Sequence, residues 1–254
     1  MRRLAGIVLL AVTALGGATA VKAAPLQVYS NNFDGTETFG GGATGGLFLI
    51  TTTAGIQNFS TLANPGNPGN TFSGNLLHND DTNLPTTPTV LSLSNLPAHD
   101  SVSLSFLLAI IDSWDSSNGA PSPDIFNVVV DGNYVLTATF ANQSGTITDT
   151  VGTSLTNLMD LWSSPSGPHF NDRAYDVTGD ARLTSIAHTA STLTVELFAS
   201  GSGWQGGTDE SWGIDNLAVT INATATVPVP EPMPLAALGL GLAGIWLMRR
   251  RRRG

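Results

Sequence analysis

Cysteine is absent from the 254-residue chain. That excludes a disulfide framework, a thiolate metal site and a cysteine nucleophile, and leaves the core, aided by a metal or not, to supply stability. Positive charge is nearly absent from the body of the chain. Between Ala24 and Pro230 the only basic residues are Arg173 and Arg182, against eighteen acids, for a net charge of about −16. Such a body repels phosphate backbones and anionic lipid, which excludes nucleic-acid binding. It also lacks the basic groups that a lyase needs against an acidic polysaccharide. Glutamate is scarce in the same span, which holds only Glu37, Glu196 and Glu210, with no Glu-x-Asp-x-Glu run to place a hydrolase's carboxylates on one strand face. His78, His99, His169 and His188 are scattered without metal-ligand spacing, and no serine sits in a nucleophile-elbow pattern. Gly40-Gly41-Gly42 leads to no lysine and no helix, so it is not a phosphate loop.

What is present divides into two special ends and a β-rich middle. Met1-Arg2-Arg3, an apolar run from Leu4 to about Leu15, and the triplets Ala18-Thr19-Ala20 and Val21-Lys22-Ala23 describe a secretory signal helix over residues 1–23. The competing reading, a retained anchor, needs a longer apolar run. At the other end, residues 223–232 form a Pro-rich linker that cannot be helical and is expected to be extended. Residues 233–248 are apolar and uncharged, and as a transmembrane helix they reach roughly 24 Å at 1.5 Å per residue. That falls slightly short of the hydrocarbon core, and arginine stems can snorkel to cover the difference. Arg249, Arg250, Arg251, Arg252 and Arg253, in the tail 249–254, are expected to stop the helix and stay cytoplasmic, leaving residues 24–222 outside.

The order Val229-Pro230-Glu231-Pro232, apolar helix, arginine cluster resembles the PEP-CTERM sorting signal. The resemblance covers about the last 25 residues, with all three parts in order. It implies processing by an exosortase, a membrane cysteine protease, in a diderm bacterium that makes exopolysaccharide. It further implies an inner-membrane anchor before processing and the cell surface or extracellular matrix afterwards. It says where a protein goes and leaves the ectodomain's task open.

The middle of the chain alternates with period two. Val102, Leu104, Phe106, Leu108 and Ile110 fall on one face of a long strand, and Ser101, Ser103 and Ser105 on the other, which turns apolar at Leu107, Ala109 and Ile111. Phe126, Val128 and Val130 alternate up to Asp131-Gly132, and Tyr134, Leu136, Ala138 and Phe140 continue beyond it, a hairpin signature. Leu193 to Leu197 and Leu217 to Ile221 read as further strands, with earlier ones at 26–29, 47–52, 71–78 and 90–94. Gly40 to Gly46 and Asn64 to Asn70 read as loops, and Leu155 to Trp162 has a helix-compatible spacing. About ten strands separated by turn residues predict an all-β fold, a two-sheet antiparallel β-sandwich of jelly-roll-like type.

Two segments concentrate chemistry. Asp112-Ser113-Trp114-Asp115, with Asp124 following, and Asp209-Glu210-Ser211-Trp212-Gly213-Ile214-Asp215-Asn216 both set carboxylates beside tryptophan at strand–loop junctions. Calcium takes six to eight oxygens, which such loops can supply, so Asp112, Asp115, Asp124, Asp209 and Asp215 are candidate ligands. Trp114, Trp204 and Trp212 offer flat apolar faces for sugar rings, and the glycine-rich loop around Trp204 is expected to expose it. Together with Asp124 to Gly132 these segments resemble lectin-like jelly rolls of the concanavalin A-like or laminin-G-like kind, a resemblance that covers about a third of the domain. The competing reading is turn chemistry for the acids and plugs at the sandwich ends for the tryptophans. The resulting expectation is a non-catalytic surface or matrix protein whose sandwich adheres to glycan, exopolysaccharide among them, or to other matrix components, with calcium as the candidate cation. The alternatives are a purely structural sandwich and a glycoside hydrolase built on an unrecognised Asp pair.

Overall fold

The structure, a computed structural model, describes residues 24–35, 37–48, 54–58, 72, 74–115, 123–140, 158–163 and 171–223. The expected signal helix, the linker beyond Ala223, the apolar segment 233–248, the arginine tail and the Asn64–Asn70 loop lie outside these residues. Within them there are fourteen strands and no helix. In chain order these are β1 (Pro25–Asn31), β2 (Thr38–Phe39), β3 (Thr44–Phe48), β4 (Ala54–Asn58), β5 (Asn75–Asn79), β6 (Thr89–Ser94) and β7 (His99–Asp112). There follow β8 (Ile125–Val130), β9 (Asn133–Thr139), β10 (Leu158–Ser163), β11 (Asn171–Asp176), β12 (Ile186–Ala187), β13 (Leu193–Ser200) and β14 (Glu210–Ala223).

They form two antiparallel sheets. The nine-stranded sheet runs β10-β11-β7-β14-β1-β2, with β12 on β7, β5 on β14 and β4 on β5. The five-stranded sheet runs β3-β6-β13-β8-β9. The long pair β7 and β14, fourteen residues each, is the spine of the larger sheet. The predicted face of β7, from Val102 to Ile110, is fully buried against Phe126, Val128, Leu136, Val195 and Leu197 of the other sheet. Its second face also turns apolar as expected, since Leu107, Ala109 and Ile111 make a separate cluster with Phe72 and Leu76. Burial of a large apolar side chain is worth about 1.5–3 kcal/mol, so this row dominates the stability of the spine.

Phase changes in the alternation are resolved by bulges. On β14 the core residues are Trp212 and Ile214, then Leu217, Val219 and Ile221, a switch from even to odd positions. The ladder to β7 shifts between Asp215 and Ala218, where Asn216 takes φ 53°, and the inserted residue returns the apolar side chains to the core. A second bulge corrects an expectation. The ladder of β8 and β9 slips at Val128/Val129, so Tyr134 pairs with Val129 on the outer face while Leu136 pairs with Val128 on the inner one. Tyr134, placed by simple alternation on the buried face, is therefore exposed. The Asp131-Gly132 turn is as read, both residues having positive φ, 47° and 78°.

Two further expectations are corrected. The Leu155–Trp162 segment is not a helix where it is described: Leu158–Ser163 is β10, held by antiparallel pairing with β11, a non-local partner that overrides spacing. The Gly40–Gly46 loop gives up its last residues to β3, which pairs with β6 from Thr44 onward.

Candidate functional site

One end of the sandwich is filled by aromatic rings. Trp114 stacks edge-on with Trp204 (centroids 5.3 Å apart) and with Phe140 (5.9 Å), and Phe140 in turn meets Tyr175 (4.7 Å). Trp212 packs edge-on against Phe126 at 5.2 Å. Trp114 donates its indole N–H to the Ser211 carbonyl and Trp204 donates to the Asp81 carbonyl, both at 2.8 Å. Trp114 and Trp212 have no exposed surface and Trp204 has 5%. None of the three presents a face to a sugar ring, which corrects the expectation for all of them. The loop around Trp204 is pressed down on the segment below it. A Cβ at Gly206 (φ +66°) would stand 2.5 Å from the Asp81 carbonyl oxygen, so only glycine permits the approach that seats the indole.

Against this aromatic end converge Asp115, Asp124 and Glu210, which offer one carboxylate oxygen each, all within 4.8 Å of one another. Asp115 follows β7, Asp124 immediately precedes β8, and Glu210 opens β14. The three acids thus come from both sheets. Asp124 and Glu210 have no exposed surface. The Asp115 N–H donates to Asp124 Oδ2 and the Gln205 N–H donates to Glu210 Oε2, each at 2.6 Å. The remaining oxygens, Asp124 Oδ1 and Glu210 Oε1, are buried without a hydrogen-bond partner. Burial, reinforced by Asp115 and Asp209, pushes Asp124 up to about 6. Burial, reinforced by Asp124 and Asp209, pushes Glu210 up to about 8. Among the described residues the counterweight comes mainly from backbone N–H groups, those of Asp115 on Asp124 and of Gln205 and Gly206 on Glu210, with a side-chain hydrogen bond between Asp124 and Glu210. An all-carboxylate set of this kind suits a hard cation such as calcium.

The predicted ligand set is only partly assembled. Asp115 and Asp124 meet. Asp209 stands beside them, its Oδ1 accepting from Ser113 Oγ at 2.6 Å, and acts through its charge. Asp112 does not join. It takes φ 64° at the end of β7, opposite Glu210 in the ladder, and turns the chain back so that the Trp114 N–H reaches its carbonyl. Asp215 does not join either. It lies five residues further along β14, roughly 16 Å at the usual strand rise, and is buried at the bulge, accepting from its neighbour Asn216 N–H at 2.7 Å. Glu210, which is not among the candidate ligands read from the sequence, is the third member of the cluster. Its signal was its place as the first residue of a strand opposite the end of β7.

A second constellation was also missed. His99 and His188 stack with centroids 4.9 Å apart, and His99 Nε2 lies 2.6 Å from His188 Nδ1. His99 Nδ1 contacts the Pro97 carbonyl, and His188 Nε2 lies 2.9 Å from Asp131 Oδ2. The chain links the start of β7 to the β8–β9 turn. Nothing in the spacing of these residues announces it.

No protein-family profile matches the chain, and no curated protein matches it. Among solved structures, the CBM22-1 xylan-binding domain from Paenibacillus barcinonensis Xyn10C is 10% identical, with a TM-score of 0.32 over 82% of this chain and 100% of that one. A cycloisomaltooligosaccharide glucanotransferase from Paenibacillus sp., complexed with cycloisomaltoheptaose, is 14% identical, with a TM-score of 0.27 over 68% of this chain and 18% of that one. The structure of the Gt strain of infectious bursal disease virus is 17% identical, with a TM-score of 0.27 over 84% and 36%. Likenesses of this size add nothing to an argument about function.

Proposed function

We propose that the chain is a non-catalytic exported protein of the cell surface or exopolysaccharide matrix, sorted by an exosortase, whose jelly-roll-like sandwich adheres to glycan with calcium as its cation. The signal segment 1–23, the motif Val229-Pro230-Glu231-Pro232 and the arginine stop support export and sorting, with a membrane anchor before processing. The observation that carries adhesion is Tyr134. Its ring is 66% exposed on the outer face of the five-stranded sheet and is braced edge-on by Phe198 at 6.1 Å. Thr137 and Glu196 lie on the same face and give hydroxyl and carboxylate partners beside an apolar platform, the combination that a sugar ring with its hydroxyls fits.

The hydrolase alternative is disfavoured by access. The paired carboxylates Asp124 and Glu210 are closed off from solvent, and a glycosidase needs its pair flanking an open cleft. A glycan array probed with the purified full chain tests the reading. Binding to a polysaccharide class, lost in Tyr134→Ala while the melting temperature holds, is the expected result. An array on which the full chain and the variant are equally silent would leave a structural sandwich.

A further inference from the structure

We infer that Asp115, Asp124 and Glu210 form one internal calcium site that staples the two sheets together at the aromatic end of the sandwich. This deepens the calcium part of the proposed function and is independent of whether the sandwich binds glycan. Three carboxylate oxygens converge, and two of the acids are fully buried with one oxygen each that meets no donor. A buried acceptor without a partner costs on the order of 1–3 kcal/mol, and more when it is charged. A proton held between the Asp124 and Glu210 side chains, which hydrogen-bond to each other, relieves the pair only while Glu210 stays protonated, whereas a divalent cation among the three carboxylates supplies the missing partner and offsets the charge with both acids ionised.

The dimensions agree. Oxygens on opposite sides of a calcium ion stand about twice the Ca–O length of 2.3–2.6 Å apart, and the three donor atoms here lie within 4.8 Å of one another. Asp124 leads into β8 of the five-stranded sheet, while Glu210 opens β14 and Asp115 follows β7 of the nine-stranded one. An ion held by all three therefore ties one sheet to the other. Because Asp124 and Glu210 are closed to solvent, the ion is structural and does not bridge to sugar hydroxyls.

The test is a calcium titration of the metal-free full chain at constant ionic strength, read by thermal melting and by calorimetric stoichiometry, with magnesium as the comparison ion. One calcium per chain is expected. At calcium a hundredfold above the dissociation constant, the melting temperature should rise by roughly 5–10 °C, and by less with magnesium. Glu210→Gln keeps the shape of the side chain and removes a charge. It should fold, melt at or above the temperature of the metal-free parent, and lose the calcium shift. Asp100→Asn, at an exposed position away from the cluster, should keep the shift. No calcium shift in the parent chain, or an equal shift in folded Glu210→Gln, overturns the assignment. A silent glycan array beside a normal calcium shift would remove adhesion and leave the staple standing.

Discussion

Glu210 and Asp124 are carboxyls held where ionisation is unfavourable, and this fixes a pH dependence for the metal-free protein. Burial raises Glu210 from 4.5 to about 8 and Asp124 from 3.8 to about 6, so the folded state holds these protons more tightly than the unfolded chain does. The stability they confer is complete below the unfolded values and is lost as pH rises through the folded ones. Metal-free melts should therefore fall in temperature between about pH 4 and pH 8, a loss on the order of a few kcal/mol. Glu210→Gln should flatten the upper part of that curve. A metal-free curve that rises across this window would contradict the burial argument. Trp204 gives a second prediction at the same scale. As an internal plug rather than a sugar platform, Trp204→Ala should cost about 3–5 kcal/mol in denaturant titration, while any glycan affinity measured on the folded variant stays unchanged.

Among the elements, β14 bears the most. It pairs with β7 along its whole length, with β5 at Trp212–Ile214 and with β1 beyond the bulge. Gly213 makes the β5 pairing possible, since a Cβ there would lie 2.6 Å from Leu76 Cδ1 and 2.9 Å from the Leu77 carbonyl oxygen. Gly213→Val should push β5 away, cost about 1–3 kcal/mol and raise amide exchange in residues 75–79 more than in β7. Uniform exchange across both strands would show that β5 docks by other contacts. The histidine chain is a smaller tie between elements. His188→Ala removes the partner of a buried His99 nitrogen and should cost about 1–3 kcal/mol in thermal melts. A change below about 0.5 kcal/mol would mean that the β8–β9 turn is held without it.

For the whole molecule, a single inter-sheet core joins strands from both halves of the described chain, from Val28 to Ile221. Unfolding should accordingly be one cooperative transition, which calcium chelation lowers without splitting; two separated transitions in calorimetry would show that the sheets unfold independently. The excess of acids over the two arginines of the body leaves little positive charge to compensate clustered carboxylates.

Alternation in the sequence determined the strands because a side-chain period of two is a local property. Val102 to Ile110, the Asp131-Gly132 hairpin and Leu193 to Leu197 were all legible in this way. The absence of cysteine likewise excludes thiol chemistry. Local periodicity does not report a bulge, so simple alternation puts Tyr134 on the wrong face, and it does not report a non-local partner, so the spacing of Leu155 to Trp162 is compatible with a helix where Leu158–Ser163 is a strand. Only the stacking of the two sheets decided which acids meet. Asp115, Asp124 and Glu210 come together because the ends of three strands share one corner, while Asp112 and Asp215, equally plausible by residue type, are carried away by a left-handed turn and by strand rise. The same stacking turned three tryptophans inward, because burying an indole gains more free energy than displaying it to solvent.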